Sequence, residues 1–108
     1  MSLSAKTCTP CQGGVEPLER SEAERMRAET PEWQLSEDAR RIRREFKFRN
    51  FAEAQAFVNK VGDLAEEQGH HPEISFGWGH AEVEIWTHKI GGLHENDFIL
   101  AAKIDQAL

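Results

Sequence analysis

Apolar residues recur along this chain first at helical spacing and then at strand spacing. The clearest run is Phe51, Ala54, Phe57, Val58, Val61, Leu64 and Ala65, at three- and four-residue steps. Asn50 precedes it as an N-cap, Glu53 sits in the first turn, and Gly69 follows as a left-handed terminator, so a helix is predicted from Asn50 to about Gln68. Just upstream, residues 40–49 alternate. Ile42, Phe46 and Phe48 fall on one face and Arg41, Arg43, Glu45, Lys47 and Arg49 on the other, the signature of a half-buried antiparallel strand. Arg44 interrupts the apolar face and is expected near its edge.

The remaining segments are shorter. Pro17 to Glu29 predicts a helix with a thin stripe of Leu18, Ala23 and Met26, stopped by Thr30-Pro31. Trp33 to Ser36 reads as a short strand, and Glu73 to Trp78 and Ala81 to His88 as two more. Ala81, Val83, Ile85 and Thr87 share one face of the last strand. A final helix from about Glu95 to Ala107 buries Leu100, Ala101, Ile104 and Phe98. Strand pairs joined by short turns and interleaved with helices predict an α+β fold in the order α-β-β-α-β-β-α. It comprises a four-stranded antiparallel sheet with three helices packed on one face. Residues 17–108 form the single domain, and residues 1–16 an amino-terminal arm.

Length and charge narrow the function classes. The chain has 108 residues and a formal net charge of −6, which argues against general nucleic-acid binding, since that needs a cationic face. No apolar run reaches the roughly 18–20 residues of a membrane span, and the amino end lacks the apolar stretch of a secretory signal. A cytoplasmic protein is expected. Its two cysteines, Cys8 and Cys11, form a C-x2-C pair in the arm, half of a structural zinc site with no second half.

Histidine carries the candidate chemistry. His70 and His71 sit together just past the long helix, with Pro72 pushing His71 toward an extended conformation. His88 lies eighteen positions further on, at the predicted end of a strand. Imidazoles titrate near neutral pH and so can give or take a proton there. Three imidazoles can also bind zinc, but an adjacent pair does not chelate as an i, i+4 helical pair does, and there is no HExxH motif.

Glu66, His70-His71-Pro72, Trp78, His88 and Asp97 together match, in type and spacing, the signature of the pterin-4a-carbinolamine dehydratases, and this sequence resembles that family from about Trp33 to its end. The run Glu45 to Phe51 is similar to the family's strand-to-helix segment, and the arm around Cys8 and Cys11 is similar to that of bacterial members. Ile74 replaces a tryptophan of several animal members. His94 replaces a serine or threonine at the start of the last helix, an expected weakening of that helix cap.

The resemblance implies dehydration of 4a-hydroxytetrahydropterin to quinonoid dihydropterin in tetrahydrobiopterin recycling, with no metal and no organic cofactor. It implies proton transfer by His70 and His88, binding by His71, and a role for Glu66 and Asp97 in orienting imidazoles or the pterin's polar edge. It also implies substrate binding by Pro72 and by Trp78, the latter packed beside the ring. A homodimer or homotetramer is expected, with an aromatic amino-acid hydroxylase as a pathway partner. The alternatives are a partner-binding regulatory module, as in members that act as dimerisation cofactors, and a pterin role tied to molybdenum cofactor.

Overall fold

The computed structural model describes residues 3–6, 8 and 16–108. Cys11, and with it half of the C-x2-C pair, lies outside the described residues.

Three helices, α1 (Arg20–Arg27), α2 (Phe51–Gln68) and α3 (Glu95–Asp105), accompany four strands, β1 (Gln34–Leu35), β2 (Ile42–Lys47), β3 (Glu73–Gly77) and β4 (His80–Ile85). The sheet order is β1-β2-β4-β3, every neighbouring pair antiparallel. This is the predicted α+β pattern, with the predicted order of elements.

Register puts the apolar alternation on one face. Ile42 faces Ile85 and Phe46 faces Ala81 across β2 and β4, and Ile74 faces Val83 across β3 and β4. A shift of one residue would turn these side chains to solvent, so the burial pattern itself fixes the pairing. On the opposite face, Arg43 is ion-paired to Glu82 at 2.6 Å and Arg41 to Glu84 at 3.4 Å. Such exposed pairs contribute only about 0–1 kcal/mol each, but they keep that face polar.

Helix α2 begins and ends where its caps dictate. The Asn50 side chain accepts the Glu53 amide at 2.9 Å. Gly69 takes φ 64°, and the next amide, that of His70, donates back to the Ala65 carbonyl at 3.1 Å. A left-handed residue closing a helix this way turns the chain sharply, and here it turns His70 inward. Ala at position 69 would strain that turn by about 1 kcal/mol.

Helix α3 is buried nearly all round, including Phe98, Ile99, Leu100 and Ala101. It packs against α2 and α1, and a single 3-10 turn of the arm, Leu3–Ala5, covers it from another side with Leu3 in the core. The apolar run Phe98–Ala101 occupies a full turn of the helix, so it needs such enclosure.

Two expectations require adjustment. Arg44 lies on the apolar face without disrupting it. Its guanidinium reaches Asp105 of α3 at 2.6 Å and lies over the Phe46 ring at 4.5 Å, while Asp105 also accepts the Trp33 indole N–H at 2.9 Å. The charge is paired and its stem packs, so the position is tolerated. The last strand also ends at Ile85, three residues before His88, which instead opens a 3-10 turn, His88–Ile90. Thr87 pairs only with Gly92 in an isolated bridge, and Gly91 at φ 61° closes the turn.

Candidate active site

Asp97, fully buried in the first turn of α3, organises the site. One of its oxygens, Oδ1, lies 2.6 Å from His70 Nε2. The other, Oδ2, accepts the Thr87 hydroxyl at 2.8 Å and the His94 amide at 2.8 Å. A carboxylate oxygen accepts hydrogen bonds, so His70 meets it as a donor from Nε2, with Nδ1 left on the far side of the ring. Burying a carboxylate is costly unless its lone pairs are satisfied. Here three donors satisfy them, and the helix N-terminus favours negative charge as well.

The His94 side chain completes this corner. Its Nδ1 accepts the Asn96 amide at 3.2 Å, so the imidazole caps α3 where a weakened cap was expected. A ring nitrogen with a free lone pair serves the orphan amide as a hydroxyl would.

His71 is held differently. Its Nε2 lies 2.5 Å from Glu66 Oε2, and both side chains are exposed. Glu66 sits in the last turn of α2, and Pro72 leads from His71 into β3. His88 stands across from the pair, with its ring centroid 4.4 Å from that of Trp86.

His70, His71 and His88 therefore line one pocket of about 170 Å³, together with Gly69, Thr87 and Lys89. Asp97 lies beneath it, and Glu66 steadies one wall. Larger hollows of about 440 Å³ between α2 and α3 and about 620 Å³ beside β1 contain no histidine. Among the described residues, no group of three or more His, Cys, Asp or Glu side chains is arranged to hold a metal ion.

Trp78 is the signature residue that the fold does not bring in. It occupies the β3–β4 turn and is 71% exposed. The five residues of β3 separate it from the histidine loop by about 17 Å, at the usual rise of an extended chain. The aromatic ring near the pocket is Trp86, and Thr87, with its hydroxyl on Asp97, is a site residue that sequence reading placed only on a strand face. The Cys8 thiol, 3.6 Å from the Asn96 carbonyl, is pushed up to about 11, first by burial and then by the nearby negative charge of Asp97.

The sequence model of the family described as pterin 4 alpha carbinolamine dehydratase matches residues 16–107. The chain belongs to that family. It is 63% identical over 105 residues to the "Putative pterin-4-alpha-carbinolamine dehydratase" of Halorhodospira halophila, covering 97% of this chain and 96% of the relative. It is 64% identical over 104 residues to the "Putative pterin-4-alpha-carbinolamine dehydratase 1" of Cupriavidus pinatubonensis, covering 96% and 90%. Among solved structures it is similar to a transcriptional coactivator/pterin dehydratase from Brucella melitensis, with TM-score 0.80, 29% identity, and coverage of 85% of this chain and 98% of that one. A second similar structure is a pterin dehydratase-like protein identified as a RuBisCO assembly factor in the alpha-carboxysome, with TM-score 0.60, 25% identity and coverage of 69% and 87%. No helix among the described residues is long and apolar enough to cross a membrane.

Proposed function

We propose that this protein dehydrates 4a-hydroxytetrahydropterin to quinonoid dihydropterin and water, in tetrahydropterin recycling in the cytoplasm. The observation that carries the reading is the convergence of three imidazoles on one pocket in a chain of this family.

The chemistry follows from the substrate. A carbinolamine holds a hydroxyl and a nitrogen on one carbon. The nitrogen lone pair forms the new C=N bond as the C–O bond breaks. One group protonates the leaving oxygen, and another takes the proton from nitrogen, so water leaves and protons balance. Two imidazoles in complementary protonation states suffice, each contributing about 10²–10⁴-fold. His70 and His88 fill these roles, with Asp97 fixing the His70 tautomer. His71, held by Glu66 at the pocket's rim, binds the pterin. No metal or organic cofactor takes part.

One chain encloses little of a bicyclic substrate, since ligand pockets usually run about 300–1,000 Å³. That supports a homodimer or homotetramer. The open edges at β1 and β3 support it too, because unpaired edges invite pairing. Light scattering at micromolar concentration is expected to give at least a dimer, and a purely monomeric species would contradict it.

The deciding assay couples the protein to phenylalanine hydroxylase and follows the transient 4a-hydroxypterin absorbance. Acceleration of its decay over the spontaneous rate is expected, and a rate equal to buffer would reject dehydration. His70→Ala and His88→Ala should each lower kcat about 10²-fold, whereas His71→Ala should act mainly on KM. A second reading, a partner-binding module, draws on the coactivator and assembly-factor titles of the two similar structures. It predicts that a His70→Ala/His88→Ala double variant complements a gene deletion fully.

A further inference from the structure

The three pocket histidines are restrained by different means. His70 rests on a buried carboxylate and His71 on an exposed one. The His88 ring has no hydrogen-bond partner among the described residues, and the side chain is exposed on a three-residue turn. What restrains its ring is Trp86, two residues upstream, with centroids 4.4 Å apart and planes inclined at 39°. Trp86 is itself restrained. The Arg41 guanidinium lies 4.2 Å from its ring centroid, and the same guanidinium reaches Glu84 at 3.4 Å. A line of contacts therefore runs from Glu84 on β4, through Arg41 just before β2, to Trp86 and on to the His88 ring.

We infer that Trp86, anchored by Arg41, is the positioning residue that sets the ring of His88 against the pocket. The inference rests on the proton-transfer role proposed above for His88. An imidazole on a short, exposed turn has two free side-chain torsions, and a proton donor or acceptor acts only within hydrogen-bond reach of the atom it serves. Misplacing a catalytic group by about 1 Å can cost as much as about 10²-fold in rate. A broad, rigid indole limits both torsions without taking either ring nitrogen, so both remain available to substrate. A carboxylate in its place would occupy one of them, as Asp97 does for His70.

The test compares Trp86→Leu and Trp86→Phe with the full-length wild type in the dehydration assay and by histidine ring-proton NMR. Trp86→Leu should lower kcat about tenfold with KM changed less than about twofold, and Trp86→Phe should return kcat to within about threefold of wild type. In the wild type the indole ring current shifts the His88 ring protons. Trp86→Leu should abolish that shift, while the His70 resonances stay in place and report an intact fold. Adding Trp86→Leu to His88→Ala should cost nothing further, because both act through one group. Unchanged kcat and unchanged His88 resonances in Trp86→Leu would overturn the inference, and so would a full additional loss on top of His88→Ala. A wild type without dehydratase activity would instead reject the proposed function, and the His88 resonances would still decide whether the indole holds the ring.

Discussion

Two imidazole–carboxylate pairs flank the same loop and differ in almost everything but chemistry. His70 and Asp97 are 27 positions apart and buried at 2.6 Å, and their carboxylate also holds Thr87 and the His94 amide. His71 and Glu66 are five positions apart and exposed at 2.5 Å, with side-chain exposures of 61% and 78%. Distance alone would rank the second pair as the stronger. Burial reverses that ranking. In water an exposed pair competes with solvent and salt and is worth about 0–1 kcal/mol. In the interior, removing one partner leaves the others unsatisfied. The buried pair is thus built to hold a geometry, and the exposed one to stay adjustable at the pocket's rim.

The largest test of this contrast is Asp97→Ala. It removes the acceptor for three donors at once, and unfolding in urea should show a loss of about 3 kcal/mol, the scale for breaking a buried charged network. Dehydration should fall with it, because His70 loses its fixed tautomer. A loss under about 1 kcal/mol would mean that the buried corner is no stronger than a surface pair.

Thr87→Val is the milder version. It removes one donor and leaves the carboxylate bonded to His70 and the His94 amide, so about 1 kcal/mol is expected in the same measurement.

Cys8 reports on the charge of Asp97 from outside the pocket. Its thiol ionises at about 11, against 9.0 for an unperturbed one, with burial the larger cause and Asp97 the next. In a Cys11→Ser background, thiolate absorbance against pH should show Asp97→Asn bringing Cys8 down part of the way, since burial remains. The raised value also has a stability consequence of definite sign. The folded state holds its proton more tightly than the unfolded one. The associated stabilisation is complete below pH 9 and disappears as pH rises toward 11. The thermal midpoint of the wild type should therefore fall more steeply across that window than that of Cys8→Ala.

The smallest effect belongs to the exposed pair. Glu66→Gln should change unfolding free energy by less than about 0.5 kcal/mol. Its consequence should appear instead as a raised KM with kcat nearly unchanged, since His71 keeps its place but loses its partner. A stability loss as large as that of Asp97→Ala would erase the distinction between the two regions.

Much of this protein is determined by local sequence. The limits of α2 follow from Asn50 and Gly69, because a side-chain cap and a left-handed glycine act on backbone groups within a few residues. The inner face of β2 follows from alternation, because successive side chains in a strand must point to opposite sides. The histidine signature is legible for a similar reason: residue types at set intervals need no coordinates to be seen. The tertiary structure alone decided which partners each of those residues met. Arg44 and Trp33 converge on Asp105, 61 and 72 positions away, so an apparent break in an apolar face becomes a satisfied one. His94, read as a poor cap, proves a working one because its ring nitrogen meets the Asn96 amide. Trp78 falls outside the pocket and Trp86 beside it, because the β3–β4 hairpin carries the first away by its own length and the turn after β4 brings the second back against His88. Spacing along the chain records which groups are present, whereas burial and long-range packing assign their partners.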